Sequence, residues 1–545
     1  MNAALRKEIR LLLPAWIVAL AASTLPVWLV GQGDLLNSYS NVPNMPLYLF
    51  AAGALLLSLS SFGLEMSFGT FPSLLAQPRP RLETWQMKIG LLALALASVV
   101  VAAGFFWWLR VHTMLTELVP IGHGMFLGAH YPGLLSDVHI RCLPLLAVVA
   151  SAGGLWTTLL LRQTVAAFWF AILVPLLLFG AFWPLVERLN EAGDNSIAIA
   201  ALALVFGGYA AVGYFLARWL FLHAQDTQAH VATDAAAWSF RRRGARWTIL
   251  PAFTRPRWPV MALLVKELRL QQGTLLIAAV LLVLELAAVA AHEFIPGPVA
   301  SGRPLTQLYA LFSRMGSESS FFHGIRMTWW VMPLLVGCAS IAEERRGHTL
   351  ESALCLPVGR LGQFVIKLLV VFGLGIFLGA VMPWMLEMLR PAMELKKLAV
   401  IPFIDHVNLP GLVISAAILT GIGCYASSLS GTLLQALGAA IGLYVMSLLV
   451  VPLFDWDRWT LDELRRFGVW LWGVRASWPF LLIVTCFCLS YANFKQLRIT
   501  WRQRLGNGII WLAVVFATPM VYFVFFFILG VIYRLIQPAP SYLFW

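Results

Sequence analysis

Two stretches of this 545-residue chain carry the same ordered set of reactive side chains. Residues 65–88 read EMSFGTFPSLLAQPRPRLETWQMK, and residues 344–367 read ERRGHTLESALCLPVGRLGQFVIK. They align without gaps at an offset of 279, with eight of 24 positions identical. The matches are Glu65/Glu344, Thr70/Thr349, Ser73/Ser352, Leu75/Leu354, Pro78/Pro357, Arg81/Arg360, Leu82/Leu361 and Lys88/Lys367. Upstream, Lys7-Glu8-Ile9-Arg10 is echoed by Lys266-Glu267-Leu268-Arg269 at an offset of 259. These residue types pair charges and make surface contacts; none is a nucleophile set beside a base. Residues 66–77 have helix-compatible spacing, and Pro78 stops that helix. Glu65 can accept helix-end or basic partners, while Arg79 and Arg81 suit lipid headgroups or a protein partner. The result expected is a rigid knob on the membrane surface.

The Lys-Glu-x-Arg segments suit amphipathic interface helices, with Leu5, Ile9 and Leu12 on one face and Arg6 and Arg10 on another. Each reads either as a lever lying on the membrane or as a basic flank that fixes topology. Glu285 sits in the apolar run LLVLELAAVAA. A carboxylate at that depth is costly. It reads as part of a substrate path or proton route, or as a protonated Glu bonded to a neighbouring helix. Glu387 and Arg390, at the end of another apolar run, are expected to snorkel. His112, His123, His130 and His139 fall with Asp137 in one loop, but their spacings match no ligand motif and no metal is assigned. The six cysteines form no CxxC pair, so neither a disulfide framework nor a zinc site is read. GxSxG, HExxH and GxxxxGK[ST] are all missing from the sequence.

The elements that carry these residues must be membrane helices. The chain is 60% hydrophobic and 12% charged, against about 25% charged in an average soluble protein, and its mean hydropathy is +0.81. A crossing helix needs about 20 apolar residues. Thirteen runs qualify: 11–31, 46–64, 89–109, 142–161, 164–184, 197–222, 273–291, 327–342, 368–389, 410–429, 432–453, 478–494 and 508–533. The first is too long for a signal peptide and reads as a retained helix. The net charge of +13 marks topology rather than nucleic-acid binding. Arg241, Arg242, Arg243, Arg246, Arg255 and Arg257 place the segment after the sixth run in the cytoplasm, and with it the N-terminus. That segment mixes arginine with aromatics, and a linker lying on anionic lipid is its expected state.

Both copies of the 24-residue segment lie between the second and third runs of their half. The fold expected is therefore an all-α polytopic membrane protein, built as a tandem parallel repeat of two six-helix halves plus one C-terminal helix. Its parts are 1–222, a basic linker 223–257, a second half 258–507, and the extra helix 508–545. The longest cytoplasmic segment, 223–272, is about 50 residues, at the small end of domain sizes, and holds no nucleotide-hydrolysing domain.

The pattern E-x4-T-x2-S-x-L-x2-P-x2-R-x6-K, behind an N-terminal KExR, resembles the membrane subunit of ABC-2 type ABC transporters. The first copy has the family's Gly-Thr pair at Gly69-Thr70; the second has His348-Thr349, with Gly347 one place early. Met66 replaces a basic residue common after the Glu. Family members usually have six spans and pair up, so this chain resembles both halves fused. The resemblance implies a permease that binds a soluble P-loop ATPase, two copies expected, through Glu65, Thr70, Pro78, Arg81, Lys88, Glu344, Thr349, Pro357, Arg360 and Lys367. Lys7, Glu8, Arg10, Lys266, Glu267 and Arg269 would sit on its interface helices. ATP would be bound by the partner and no cofactor by this chain; membrane lipid is the other partner, and the location is a bacterial cytoplasmic membrane. The alternatives are a membrane enzyme acting on a lipid-linked substrate through Asp34, Asp137 or Glu293, and a non-transporting ABC-type regulatory partner. The substrate is not readable.

Overall fold

The computed structural model describes residues 3–29, 45–118, 131–191, 195–224, 259–294, 320–346, 358–392, 409–450, 468–496, 500 and 502–517. Helix accounts for nearly all of them, and no strand occurs among the described residues. Lipid offers backbone groups no partners, so a helix, which satisfies its own, is the fold such apolar runs must take.

In chain order the helices are α1 (Ala3–Thr24), α2 (Met45–Ser67), the short α3 (Phe71–Leu75), α4 (Arg81–Leu118), α5 (Tyr131–Leu161), α6 (Thr164–Glu191) and α7 (Asn195–Leu222). There follow α8 (Pro259–Leu270), α9 (Gln272–Phe294), α10 (Ser320–Arg346), α11 (Arg360–Ile376), α12 (Met382–Ala392), α13 (Leu409–Leu429), α14 (Leu433–Val450) and α15 (Gly468–Phe494). A final helix, α16, covers 502–517.

Seven of the described helices are long and apolar enough to cross a membrane: Leu5–Trp28, Met45–Ser67, Arg81–Thr113, Cys142–Leu161, Ala200–Leu222, Arg360–Leu386 and Leu409–Leu429. The α8–α9 pair qualifies as an eighth when taken as one span bent by 58°. Of the other expected runs, 164–184, 432–453 and 478–494 appear as shorter apolar helices within the described residues, and 327–342 lies in α10, which is not among the helices that qualify. The run 508–533 lies mostly outside the described residues. The chain is a multi-pass helical membrane protein by these criteria.

Small residues set the tightest crossings. Without a hydrophobic drive between helices, close backbone approach and interhelical bonds hold a bundle in lipid. Gly337 of α10 and Gly423 of α13 face each other so closely that a Cβ at 337 would come within 2.5 Å of the Thr420 carbonyl oxygen. α2 meets α5 in a similar way, the Ser58 hydroxyl donating to the Ala150 carbonyl at 3.1 Å. α11 passes into a π-helical turn, Phe377–Val381, where Gly379 packs on Pro333 of α10. Outward faces stay apolar: Leu94, Val101, Phe105 and Trp108 form an exposed stripe along α4, as a lipid-facing helix requires.

One buried apolar core joins residues of α2, α5, α6, α10, α13 and α14. Gly273, at the start of α9, lies beside Val165 at the start of α6, and Gly63 near the end of α2 lies beside Leu434 at the start of α14. The C-terminal ends of α2 and α10 therefore sit at the same end of the bundle.

Candidate functional site

That end holds two buried ion clusters of identical composition. In the first, Lys88 Nζ lies 2.6 Å from Glu8 Oε2 and 3.0 Å from Glu65 Oε2, and Lys7 Nζ lies 3.0 Å from Glu65 Oε1. In the second, Lys367 Nζ lies 2.8 Å from both Glu267 Oε2 and Glu344 Oε2, and Lys266 pairs with Glu344 Oε1. Each central lysine also donates to a serine carbonyl: Lys88 to Ser61 at 3.3 Å and Lys367 to Ser340 at 3.0 Å. Ser61 and Ser340 keep the offset of 279 found in the repeated segment. Lys88 also sits 5.2 Å from the centroid of the Phe62 ring, which adds a cation–π contact.

Burial demands this arrangement. Glu65 and Lys88 are each 1% exposed at the side chain and Glu8 is 8% exposed; only Lys7, at 45%, reaches solvent. Charges taken from water cost several kcal/mol each unless paired. Two lysines against two glutamates leave each cluster neutral. Burial would raise the Glu344 carboxyl, but Lys367 and Lys266 outweigh it and hold it below its ordinary range.

The clusters tie elements distant in sequence. The first joins α1, the end of α2 and the start of α4; the second joins α8, the end of α10 and the start of α11. Lys7 and Glu8 lie on α1, which runs unbroken from Ala3 into the span, so in the first half the Lys-Glu-x-Arg segment is no separate interface helix. In the second half it forms α8, set at an angle to α9. Arg10 and Arg269 point outward.

Between Glu65 and Lys88 the chain makes a compact projection. Gly69 takes φ +66, the left-handed turn that ends α2. The Thr70 N–H donates to the Glu65 carbonyl at 2.9 Å, and the Thr70 hydroxyl donates to it at 3.3 Å. α3 follows, with Pro72 in its first turn, where a missing N–H is harmless. Phe71 and Leu74 anchor it inward, Phe71 against Phe221. Phe68, Thr70, Ser73, Gln77, Pro78 and Arg79 are exposed. Arg81, read from sequence as facing headgroups or a partner, turns inward. Its Nη1 donates to the Leu222 and Ala224 carbonyls at 2.8 and 2.9 Å, which closes the C-terminal end of α7.

In the repeated segment 344–367, Thr349 and Pro357 lie outside the described residues; Arg360 begins α11 and is exposed. Arg345, where the first copy has Met66, donates to the Ser428 carbonyl at 2.6 Å and to the Asn493 carbonyl at 3.3 Å. Burial, with Arg504 nearby, brings its guanidinium down to about 10. Asn493 bonds to Ser428 and to Asn507, so this polar group fastens α16 to α13 and α15.

Glu285 is buried and accepts a hydrogen bond from Trp329 Nε1 of α10 at 3.0 Å. Among the described residues no group of three metal-ligating side chains occurs. His112 stacks on Trp108. The side chains of His123, His130, His139, Asp137, Asp34 and Glu293 lie outside the described residues, as do those of Glu387 and Arg390. Sequence reasoning missed Ser61, Ser340, Trp329 and the Arg345 group. The shared 279 offset of the two serines was the available signal for the first pair.

Comparisons with protein-family models, curated proteins and solved structures return no match.

Proposed function

We propose that this chain is the permease component of an ABC exporter, made of two tandem six-span halves and a C-terminal helix. It would move a substrate across the bacterial cytoplasmic membrane, its N-terminus inside, with ATP hydrolysed on a separate P-loop ATPase present in two copies. One observation carries the reading. The projection 68–80 exposes most of its residues while Phe71 and Leu74 anchor it inward, yet both its flanks, Glu65 and Lys88, are locked to α1 through one ion cluster. A partner that moves this projection moves the ends of α1, α2 and α4 together. That is the linkage a membrane subunit needs if another polypeptide does the work. The second cluster offers the same linkage to α8, α10 and α11. Glu285, beside Trp329, is the residue assigned to the substrate path.

The test is co-purification from the native host in mild detergent. Phe68→Ala and Ser73→Arg change the exposed face and leave the cluster untouched, whereas Glu65→Ala would disturb both. A P-loop ATPase retained by wild type and lost by these two variants supports the proposal. A preparation that brings no ATPase with it removes the proposal and favours the membrane-enzyme reading.

A further inference from the structure

A cavity of about 230 Å³ opens beside the projection, walled by Phe71 of α3, Leu159 of α5 and the last turn of α7, with Arg162, Trp219 and His223 on its lining. The spans Cys142–Leu161 and Ala200–Leu222 both end here, so the cavity lies where helices leave the apolar layer. It is smaller than the roughly 300–1,000 Å³ of sites for drug-sized ligands. It has room for a phosphate group and its ester neighbours.

Its polar wall is basic. Arg162 holds φ 53, in the left-handed region that favours glycine, a conformation that costs a non-glycine residue about 1 kcal/mol. None of the described residues pairs with its guanidinium. His223 Nδ1 lies 2.9 Å from the Trp219 carbonyl oxygen; a carbonyl only accepts, so Nδ1 donates there, and Nε2 donates to an incoming anion when the ring is doubly protonated. The ring is steadied against Trp219 at 5.1 Å between centroids.

An apolar track leads away from the cavity. Leu204, Val212, Phe215 and Trp219 are each more than half exposed, and their spacing puts them on one face of α7. A basic recess at a span's end, continued by an uncovered apolar face, matches a phospholipid: charged head, two chains. We propose that the cavity seats the phosphate of a membrane phospholipid, with Arg162 and His223 at the phosphate and the acyl chains along that face of α7. Phe71 and Arg81, which bonds the same end of α7, would place this lipid against the projection. The proposal does not depend on the ATPase reading.

The test uses the full chain, purified in detergent, stripped of lipid and titrated with phosphatidylglycerol under native mass spectrometry. Arg162→Gly keeps the turn, because glycine accepts the left-handed conformation. It is expected to weaken binding about tenfold, the loss of one charge-assisted contact, without lowering the thermal midpoint of the lipid-free protein. His223→Gln is expected to weaken binding less. Lipid bound equally by wild type and R162G overturns the proposal. Sodium phosphate displacing the lipid at equal concentration overturns the lipid as occupant and leaves a free-phosphate site. Should R162G fail to fold, H223Q carries the same test: unchanged lipid binding there is refutation.

Discussion

Replacing Lys88 by methionine tests whether the first ion cluster is the structural pin described above. The substitution keeps the length of the side chain and removes one charge. It deletes contacts at 2.6 and 3.0 Å to two carboxylates, a hydrogen bond to the Ser61 carbonyl and the contact with Phe62. It leaves Glu8 and Glu65 buried, with Lys7 as the one remaining lysine of the cluster, paired to Glu65. Breaking a buried pair in this way costs about 3–5 kcal/mol, or a folding equilibrium constant lower by at least about 150-fold. Lys7→Met removes one contact at 3.0 Å from a side chain that is 45% exposed, and solvent screening holds its cost to about 1 kcal/mol or less. The double variant Lys88→Met with Glu8→Gln restores neutrality and should recover about half of the loss. The assay is reversible unfolding in mixed micelles of mild detergent and SDS, followed by tryptophan fluorescence. A Lys88→Met cost no larger than that of Lys7→Met would refute the buried-cluster reasoning, as would a double variant weaker than the sum of its parts.

Four further outcomes are expected. Arg81→Ala should loosen the end of α7, raising amide exchange over 219–224 by mass spectrometry, because a charged hydrogen-bond donor is worth about 1.5–3 kcal/mol. Gly69→Ala meets no atom within 4 Å, so its cost should be only the conformational one, about 1–2 kcal/mol, and Gly69→Asn should cost less in the same unfolding assay. Gly337→Val should be among the most damaging changes, about 3 kcal/mol from overpacking, read as loss of monodisperse protein on size exclusion. Trp329→Phe removes the indole donor to Glu285 and should cost about 1–3 kcal/mol in thermal unfolding.

The helices of this protein are legible in hydropathy because a crossing segment is a local property of about 20 residues. The helix expected over 66–77 does not form as one piece: α2 ends at Ser67, Gly69 turns the chain in the left-handed region, and α3 covers only Phe71–Leu75, short of Pro78. The clusters are not local. Glu8 and Lys88 are separated by 80 residues, and nothing in their spacing says that they meet. Charged residues in short polar segments are usually solvated, so Glu65 and Lys88 read as parts of a docking surface. Folding instead puts them inside, where they hold the exposed Phe68–Arg79 stretch in place. The same bias gave Arg81 to the headgroups or a partner, although the open carbonyls at the end of α7 claim it. What the sequence did carry was the repetition: the two lysines and two glutamates repeated at offsets of 259 and 279 are the four residues that pair in each cluster.

That matched composition creates a sorting problem during synthesis. Glu8 would satisfy Lys367 as well as it satisfies Lys88, since each lysine takes two carboxylates and a serine carbonyl. Chemistry alone does not separate the native partners from the exchanged ones. Chain order does. Every member of the first cluster has been made once residue 88 is translated, and the next lysine-glutamate pair begins at residue 266. At about 5–20 residues per second, the ribosome leaves the first set roughly 10–35 seconds to close before a competitor exists. Order of synthesis therefore favours the native pairings over the exchanged ones. Circular permutation that brings 258–507 out first, or expression of the halves as separate chains, removes that interval and should yield crossed pairings in the bilayer.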